Sequence, residues 1–261
     1  MAGPSANRTI GDLTFQEVGT ALRASSILCL PLGSMEQHGP HLPLNTDTVL
    51  AEALTGRIVA RWGEAYDLWR LPSISLGLSR EHDWAAGTLS LSVSGMTAVL
   101  RDLAREIGRA LPTRNLLIVN GHGGNRGILE ALGRELRGDF GLNLGALHLG
   151  AMMSPVQEAG VPEIHAGKDE TSVMLALAPD LVRRERIREL KAPPDGAAVR
   201  ALILDPATSW PWSSGDQRIA AAGVIGDARG ASAGHGNAIV SRVVEAAEAV
   251  LKQLLGNQPS H

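Results

Sequence analysis

Carboxylate and imidazole side chains are concentrated in one short segment rich in glycine and proline. Two carboxylates and two imidazoles lie within the twelve residues from Glu36 to Asp47. Glu36 and His38 are two residues apart, so in an extended segment both side chains point to the same side. Such donors are the ligand set for Zn²⁺, Mn²⁺ or Fe²⁺, and the single cysteine excludes a sulfur site. The alternative is that Asp47 or Thr46 caps a helix, where the helix dipole favours an anion, and the histidines are loop surface.

A second cluster, Asn120-Gly-His-Gly-Gly-Asn125, follows an apolar run and precedes a segment of helical periodicity. Its glycines allow the backbone to approach a ligand closely, and the helix N-terminus offers free N–H groups. A phosphate-binding turn is the rival interpretation, but a P-loop requires Gly-Lys-Ser/Thr and a dinucleotide loop requires its three-glycine spacing. His122, in the middle of the turn, therefore fits a ligand better.

Two further polar clusters could each belong to a functional site or have only a structural role. The segment His165-Ala-Gly-Lys-Asp-Glu-Thr-Ser172 opens a helix that we expect to run to about Ala178. Its acidic residues could serve only as dipole complements in the first turn, with His165 at the loop surface. The segment Arg80-Glu-His-Asp83 is either part of a site or a solvated turn.

Short apolar runs alternate with longer segments of helical periodicity, which indicates an α/β layer fold with a mainly parallel sheet. In such a sheet, sites form beyond the carboxyl ends of the strands, where the polar clusters stand. The predicted strands are Ser26–Leu32, Leu116–Asn120, Leu142–Leu149 and a short Thr88–Leu91; the predicted helices are Asp47–Trp62, Ser94–Leu111, Asn125–Leu136 and Ile239–Leu255.

Bulk properties exclude several classes of partner. The formal net charge of −3 gives no basic field for nucleic acid or anionic lipid. No apolar run reaches the roughly 18 to 20 residues of a membrane span, and residues Met1–Arg8 lack the apolar core of a signal peptide, so we expect a cytoplasmic protein. Cys29 lies in an apolar run and is predicted to be buried. We predict a single domain over residues 1–261, with a long loop excursion at about 191–236.

Taken together, the motifs resemble those of the creatininase, or creatinine amidohydrolase, family. The resemblance rests on four segments in the family's order: Gly33-Ser-Met-Glu-Gln-His-Gly-Pro-His-Leu-Pro-Leu-Asn-Thr-Asp47, Glu81-His82 with Ala86-Gly-Thr-Leu-Ser-Leu91, Asn120-Gly-His-Gly-Gly-Asn125, and His165-Ala-Gly-Lys-Asp-Glu-Thr-Ser172. The segment Gly223-Val-Ile-Gly-Asp-Ala228 is also similar to a Gly-Val-Leu-Gly-Asp-Pro element of some members.

The resemblance implies a three-layer α/β/α domain, a dinuclear metal site and assembly as a homohexamer. It implies metal-dependent hydrolysis of a C–N amide bond by a metal-bound water, on a small cyclic amide, a formamide or a peptide-like amide. Carried over by motif, Glu36 and His122 bind one metal, His38 binds the other and Asp47 bridges the two. His165 matches the histidine that handles protons, and it titrates in the right range to be the acid/base.

Two positions depart from creatininase itself. Gly124 stands where creatininase has a glutamate that completes the second metal site, and Glu170 is our predicted substitute, as a ligand and as a catalytic residue. Val161 stands where creatininase has a tryptophan that lines the substrate. We therefore expect creatinine to be a poor substrate.

The remaining predictions concern substrate contacts and other functions. Alternative functions are a creatininase-like peptidase of peptide-cofactor maturation and a non-catalytic metal-binding oligomer. The predicted substrate-binding residues are His82, Gly123 and Asn125; further candidates for contact, with packing roles equally open, are Arg80, Trp84, Trp210 and Trp212.

Overall fold

The structure is a computed structural model that describes residues 8–155, 160–194 and 196–256. Residues 1–7, on which the predicted cytoplasmic location mostly rests, lie outside this described part. Its strands and helices, in chain order, are α1 (Phe15–Ala21), β1 (Ile27–Leu32), α2 (Thr46–Tyr66), β2 (Leu68–Arg70), α3 (Val93–Ala110), β3 (Asn115–Asn120), α4 (Arg126–Phe140), β4 (Asn143–His148), α5 (Leu149–Met153), α6 (Lys168–Leu177), α7 (Arg184–Glu189), α8 (Gly196–Val199) and α9 (Ala233–Gly256).

The strands form a four-stranded parallel sheet in the order β2-β1-β3-β4. The register pairs Leu32 with Asn120 and Asn120 with His148, so three strands end at the same level. The sequence did not predict β2, because three residues are too short to show a period. The predicted strand at Thr88–Leu91 is wrong: within the described residues this segment forms only isolated bridges.

Residues of β1 alternate between the two faces of the sheet, as the pleat requires. Ile27 and Cys29 pack with α2, α6 and α9 on one face, and Leu28 and Leu30 pack with α3 and α4 on the other. All four side chains are at most 1% exposed, which confirms the predicted burial of Cys29. Helices on both faces of a parallel sheet make the predicted three-layer α/β/α architecture.

Close contact between β3 and α2 brings two of the polar motifs together. Gly121 follows β3 directly, and a Cβ there would lie 2.3 Å from the Asp47 carbonyl oxygen. Only glycine allows this approach. The first turn of α2 therefore lies against the segment that carries His122.

The predicted loop excursion at 191–236 is longer than the irregular segment in the structure. It contains α8, a π-helical turn at Arg200–Leu204 and the first turn of α9, which begins six residues before the predicted Ile239. The glycine-rich start of α9 hides its helical period in the sequence. Gly236 is required there because a Cβ would lie 1.9 Å from the Ser172 carbonyl oxygen, where α9 crosses α6.

Within the described residues, the structure contains no helix that is both long enough and apolar enough to span a membrane.

Candidate metal centre

The five side chains predicted as metal ligands meet beyond the carboxyl ends of β1 and β3. They are Glu36, His38, Asp47, His122 and Glu170. Asp47 faces a histidine with each oxygen: Oδ1 lies 3.1 Å from His38 Nε2, and Oδ2 lies 3.1 Å from His122 Nδ1. Glu36 Oε2 lies 3.2 Å from His122 Nδ1, and Glu170 Oε1 lies 3.7 Å from His38 Nε2. The structure thus brings together all five residues predicted as ligands.

These side chains form two groups of three that could each hold a metal ion, and Asp47 belongs to both. The groups are Glu36, Asp47 and His122, and His38, Asp47 and Glu170. Both Glu36 carboxylate oxygens and Asp47 Oδ2 are buried without a hydrogen-bond partner among the described residues. Unpaired buried carboxylate oxygens are costly, and a divalent cation would satisfy them. The residues present therefore fit the metal pair that the resemblance implies.

Backbone carbonyls fix which ring nitrogen of each histidine faces the carboxylates. His38 Nδ1 lies 3.1 Å from the Glu36 carbonyl oxygen, and His122 Nε2 lies 2.8 Å from the Leu78 carbonyl oxygen. A carbonyl only accepts, so each of these nitrogens carries a proton and donates it. The other nitrogens, His38 Nε2 and His122 Nδ1, are left to face Asp47, which is the arrangement of metal-binding histidines.

The charges of the site shift the pKa values of its members strongly. Burial would lower the pKa of His38, but Asp47 and Glu170 raise it well above its ordinary value. His122 behaves in the same way, with Glu36 as the largest opposing influence. Burial would raise the pKa of Asp47, but His38 and His122 hold it at about 2. Protons and a cation therefore compete for the same imidazole nitrogens.

His165 lies at the same site, on the segment that precedes α6. Its backbone exchanges two hydrogen bonds with Ile225, and its Nε2 donates to the Gln37 carbonyl oxygen at 2.7 Å. Its Nδ1 faces Glu36 Oε1 at 3.7 Å. Burial, then the charge of His38, lowers the pKa of His165. Glu36, His38 and His165 form a third group that could hold a metal, so the geometry fits an acid/base or a ligand.

A cavity of about 710 Å³ opens above the carboxylates. Two of the three predicted substrate contacts, His82 and Gly123, line it, and so do Trp210 and Trp212. Val161 lines a different cavity of about 350 Å³. The aromatic side chains at this cavity thus come from the excursion and not from position 161.

Asn125, the third predicted substrate contact, is fully occupied by the fold. Its Nδ2 donates to the Gly33 carbonyl oxygen and to Asn120 Oδ1, each at 3.1 Å, and its Oδ1 accepts from the Leu78 backbone N–H at 3.0 Å. The side chain is completely buried. Asn125 ties three segments together beneath the site and has no group to offer a substrate.

Glu81 is a residue of the site that the sequence analysis left within a charged turn. Its Oε1 lies 3.6 Å from His122 Nε2, and burial raises the pKa of its carboxyl. A Cβ at Gly124 would lie 2.6 Å from this oxygen and 2.2 Å from the Leu78 carbonyl oxygen. A side chain at position 124 therefore has no room in this chain. Glu81 could have been found from the sequence, because it stands beside His82 in one of the four segments that carry the family resemblance.

Comparison with known proteins identifies the family. The family model described as creatinine amidohydrolase matches residues 11–251. The chain is 35% identical over 243 residues to the mycofactocin precursor peptide peptidase of Mycobacterium tuberculosis, which covers 90% of this chain and 88% of that protein. It is 32% identical over 203 residues to the creatinine amidohydrolase of Pseudomonas putida, covering 68% of this chain and 75% of that protein.

A solved structure described as "Creatininase Mn" superimposes with a TM-score of 0.74 at 27% identity, covering 97% of this chain and all of that one. The fold agrees with that of the structural relative, and the range matched by the family model spans all the motifs of the site. This chain belongs to the creatininase family.

Proposed function

We propose that this protein hydrolyses an amide C–N bond with the help of two divalent cations, Zn²⁺, Mn²⁺ or Fe²⁺. Glu36, Asp47 and His122 would hold one cation, and His38, Asp47 and Glu170 the other. The observation that carries the proposal is the shared Asp47, whose two oxygens each lie 3.1 Å from a different histidine. The hydrolase names of the relatives support it.

The protein's own residues would divide the remaining work of hydrolysis. When bound, divalent cations activate water and polarise the substrate carbonyl. The leaving nitrogen also needs a proton, and His165 is placed to hold one. Because its Nε2 donates to the Gln37 backbone, only Nδ1 is free to exchange a proton at the site. Glu170 keeps Oε1 toward His38, because its Oε2 accepts the Ala166 N–H at 2.7 Å.

Peptide-like amides are the substrate class that the cavity fits best. A volume of about 710 Å³ is within the usual range of ligand sites and exceeds what a single small ring fills. The relative at 35% identity is named as a peptide peptidase. Creatinine would lack its aromatic wall at Val161, and stacking on such a wall contributes on the order of 1 kcal/mol. Trp210 and Trp212 lie at the cavity but on another loop.

The test combines metal analysis with steady-state hydrolysis of a substrate panel. Dialysed protein is expected to hold two equivalents of divalent metal per subunit, and a short peptide amide to give a higher kcat/KM than creatinine, a lactam or a formamide. Protein without bound metal removes the whole proposal. The highest kcat/KM for creatinine would refute the substrate class, and metal uptake without any hydrolysis would favour a non-catalytic binding protein.

We propose in addition a single domain and a cytoplasmic location, as the sequence predicts, and assembly as a homohexamer, as the family resemblance implies. Sedimentation equilibrium tests the assembly, cell fractionation the location, and a single cooperative unfolding transition the domain count. A monomer in solution would contradict the hexamer.

A further inference from the structure

We propose that Ser214, on the long excursion, is a positioning residue that holds His82 with its proton on Nε2. His82 would then present an N–H toward Glu36 Oε1 and would not be a metal ligand. The consequence for metal binding rests on the proposed function, but the state of the His82 ring does not. His82 and Ser214 are both buried, at 2% and 1% exposure, and are 132 residues apart in sequence.

The Ser214 hydroxyl has one proton to donate and two lone pairs to accept with. Trp84 Nε1 lies 2.9 Å and Gln37 Nε2 lies 3.0 Å from its oxygen, and both groups can only donate. They fill the two acceptor positions. The hydroxyl proton is left for His82 Nδ1 at 2.7 Å, the nearest acceptor, whereas the Glu81 carbonyl oxygen is 3.4 Å away.

The orientation of the Gln37 amide is fixed independently. Its Oε1 accepts the Gly39 backbone N–H at 2.9 Å, and its Nε2 donates to the Gly223 carbonyl oxygen at 3.1 Å. An exchange of the amide oxygen and nitrogen would break both bonds. The Gln37 Nε2 also lies 3.0 Å from His82 Nδ1, so the polar neighbours of His82 Nδ1 are the Ser214 hydroxyl and an amide nitrogen that cannot accept a hydrogen bond. His82 Nδ1 must therefore carry the lone pair, and Nε2 the proton.

This arrangement decides how His82 meets the metal centre. Its Nε2 lies 3.3 Å from Glu36 Oε1, a buried oxygen. A lone pair at Nε2 would repel the carboxylate, whereas an N–H attracts it and leaves Glu36 free to bind a cation through its other oxygen. Donors that orient a metal-binding carboxylate affect metal affinity without touching the metal.

The excursion is attached to the site at the same place. The Ser214 backbone N–H donates to the Glu81 carbonyl oxygen at 3.0 Å, and Gly215 lies against the Trp84 ring. The ring of Trp212 stands edge-on to His82, with ring centres 6.0 Å apart. The segment that the sequence left without a role thus contributes both a cavity wall and the hydroxyl that orients His82.

The decisive measurement is the protonation pattern of the His82 ring in the full-length, metal-free protein. Long-range ¹H–¹⁵N spectra of histidine-labelled protein distinguish the two neutral tautomers, and His82→Asn identifies the signals. We expect the Nε2–H tautomer in the unsubstituted protein. The Nδ1–H tautomer, or an equal mixture, would overturn the proposal whether or not the protein is an amidohydrolase.

Ser214→Ala tests the hydroxyl itself, with Ser213→Ala as the matched control. Ser213 is on the same loop, and its hydroxyl accepts the Gly215 N–H, not a group of His82. In Ser214→Ala, Gln37 Nε2 remains available to donate to His82 Nδ1 at 3.0 Å, a longer distance than that of the lost hydroxyl. We therefore expect only a partial shift toward the Nδ1–H tautomer. If Ser214→Ala does not fold, Ser214→Cys keeps the volume with a weaker donor and should shift the tautomer in the same direction.

The second measurement is the affinity of the protein for Zn²⁺, determined by competition with a chelator. We expect Ser214→Ala to bind Zn²⁺ about tenfold more weakly than Ser213→Ala, at the low end of the effect of outer-shell partners. Ser214→Thr, which keeps the hydroxyl, should restore the affinity. Equal tautomers and equal affinities in Ser214→Ala and Ser213→Ala would overturn the role of Ser214.

Discussion

Replacing Asp47 with alanine removes the carboxylate that both candidate metal groups share. The two oxygens of Asp47 each lie 3.1 Å from a histidine, Oδ1 from His38 and Oδ2 from His122. His38→Ala, in contrast, leaves the group of Glu36, Asp47 and His122 complete. We therefore expect Asp47→Ala to lose both cations and all activity, and His38→Ala to keep about one equivalent.

The magnitude can be worked out as a shift of the melting temperature. A cation at 100 times its Kd adds about 2.7 kcal/mol to the free energy of unfolding, so two sites add roughly 5.4 kcal/mol. For a chain of this size, this raises Tm by roughly 10 to 20 °C. Asp47→Ala should lose nearly all of the shift and His38→Ala about half.

The substitution also affects the metal-free fold, so the metal-dependent shift is measured against the metal-free Tm of each variant. Asp47 stands in the first turn of α2, where its interaction with the helix dipole contributes roughly 0.3 to 1 kcal/mol. Asp47 also faces the imidazoles of His38 and His122, which hold its pKa at about 2 against the effect of burial. The metal-free Tm of Asp47→Ala is therefore expected to fall, because two buried imidazoles lose the carboxylate that they face.

The assay is thermal unfolding with and without excess metal, together with metal analysis of dialysed protein. Glu64→Ala is the matched control, because it removes an exposed carboxylate from the same helix. It should keep the full metal-dependent shift. If Asp47→Ala and His38→Ala retain equal metal and equal shifts, Asp47 is not shared, and its role is that of a helix-start residue.

Three further predictions concern the acid/base, the protons of the site and position 124. His165→Ala should keep its metal while kcat falls roughly 10²- to 10⁴-fold, and metal loss in this variant would make His165 a ligand instead. Metal affinity measured between pH 5.5 and 8 should rise with pH, because the two histidines that face Asp47 have raised pKa values and must release protons to bind; a flat profile would contradict this. Gly124→Glu should lower Tm without adding metal, because its Cβ would lie 2.2 Å from the Leu78 carbonyl oxygen, whereas Gly123→Ala, with nothing within 4 Å, should be tolerated.

The elements that the sequence predicted well are those with a long apolar period. α2 was predicted from Asp47 to Trp62 and runs to Tyr66, and β3 differs from its prediction by one residue. The elements that were missed carry no such signal. β2 has three residues, and the first turn of α9 has glycine where α6 passes too closely for a side chain.

The residues of the candidate site also differ in whether a local sequence pattern predicts them. Glu36, His38 and Asp47 were recognisable because their donor types are concentrated in one short segment. Ser214 was not, because it lies outside every polar motif of the sequence and reaches His82 across 132 residues. Contacts of this kind depend on how a loop docks, which no local pattern specifies.

Position 124 shows how a missing ligand in a motif differs from a missing site. From the sequence, Gly124 could mean that the second cation is lost. In the structure, the space beside Gly124 is filled by Glu81 and by the Leu78 carbonyl oxygen, so a glutamate there could not enter without moving the backbone.

A carboxylate reaches His38 from α6 instead. Glu170, in the first turn of α6, lies 3.7 Å from His38 Nε2 and completes a group of three with Asp47. Its second oxygen is held by the Ala166 N–H, which leaves the first directed into the site. Because the donor set is rebuilt from α6, we expect the glycine form of the motif to retain two cations.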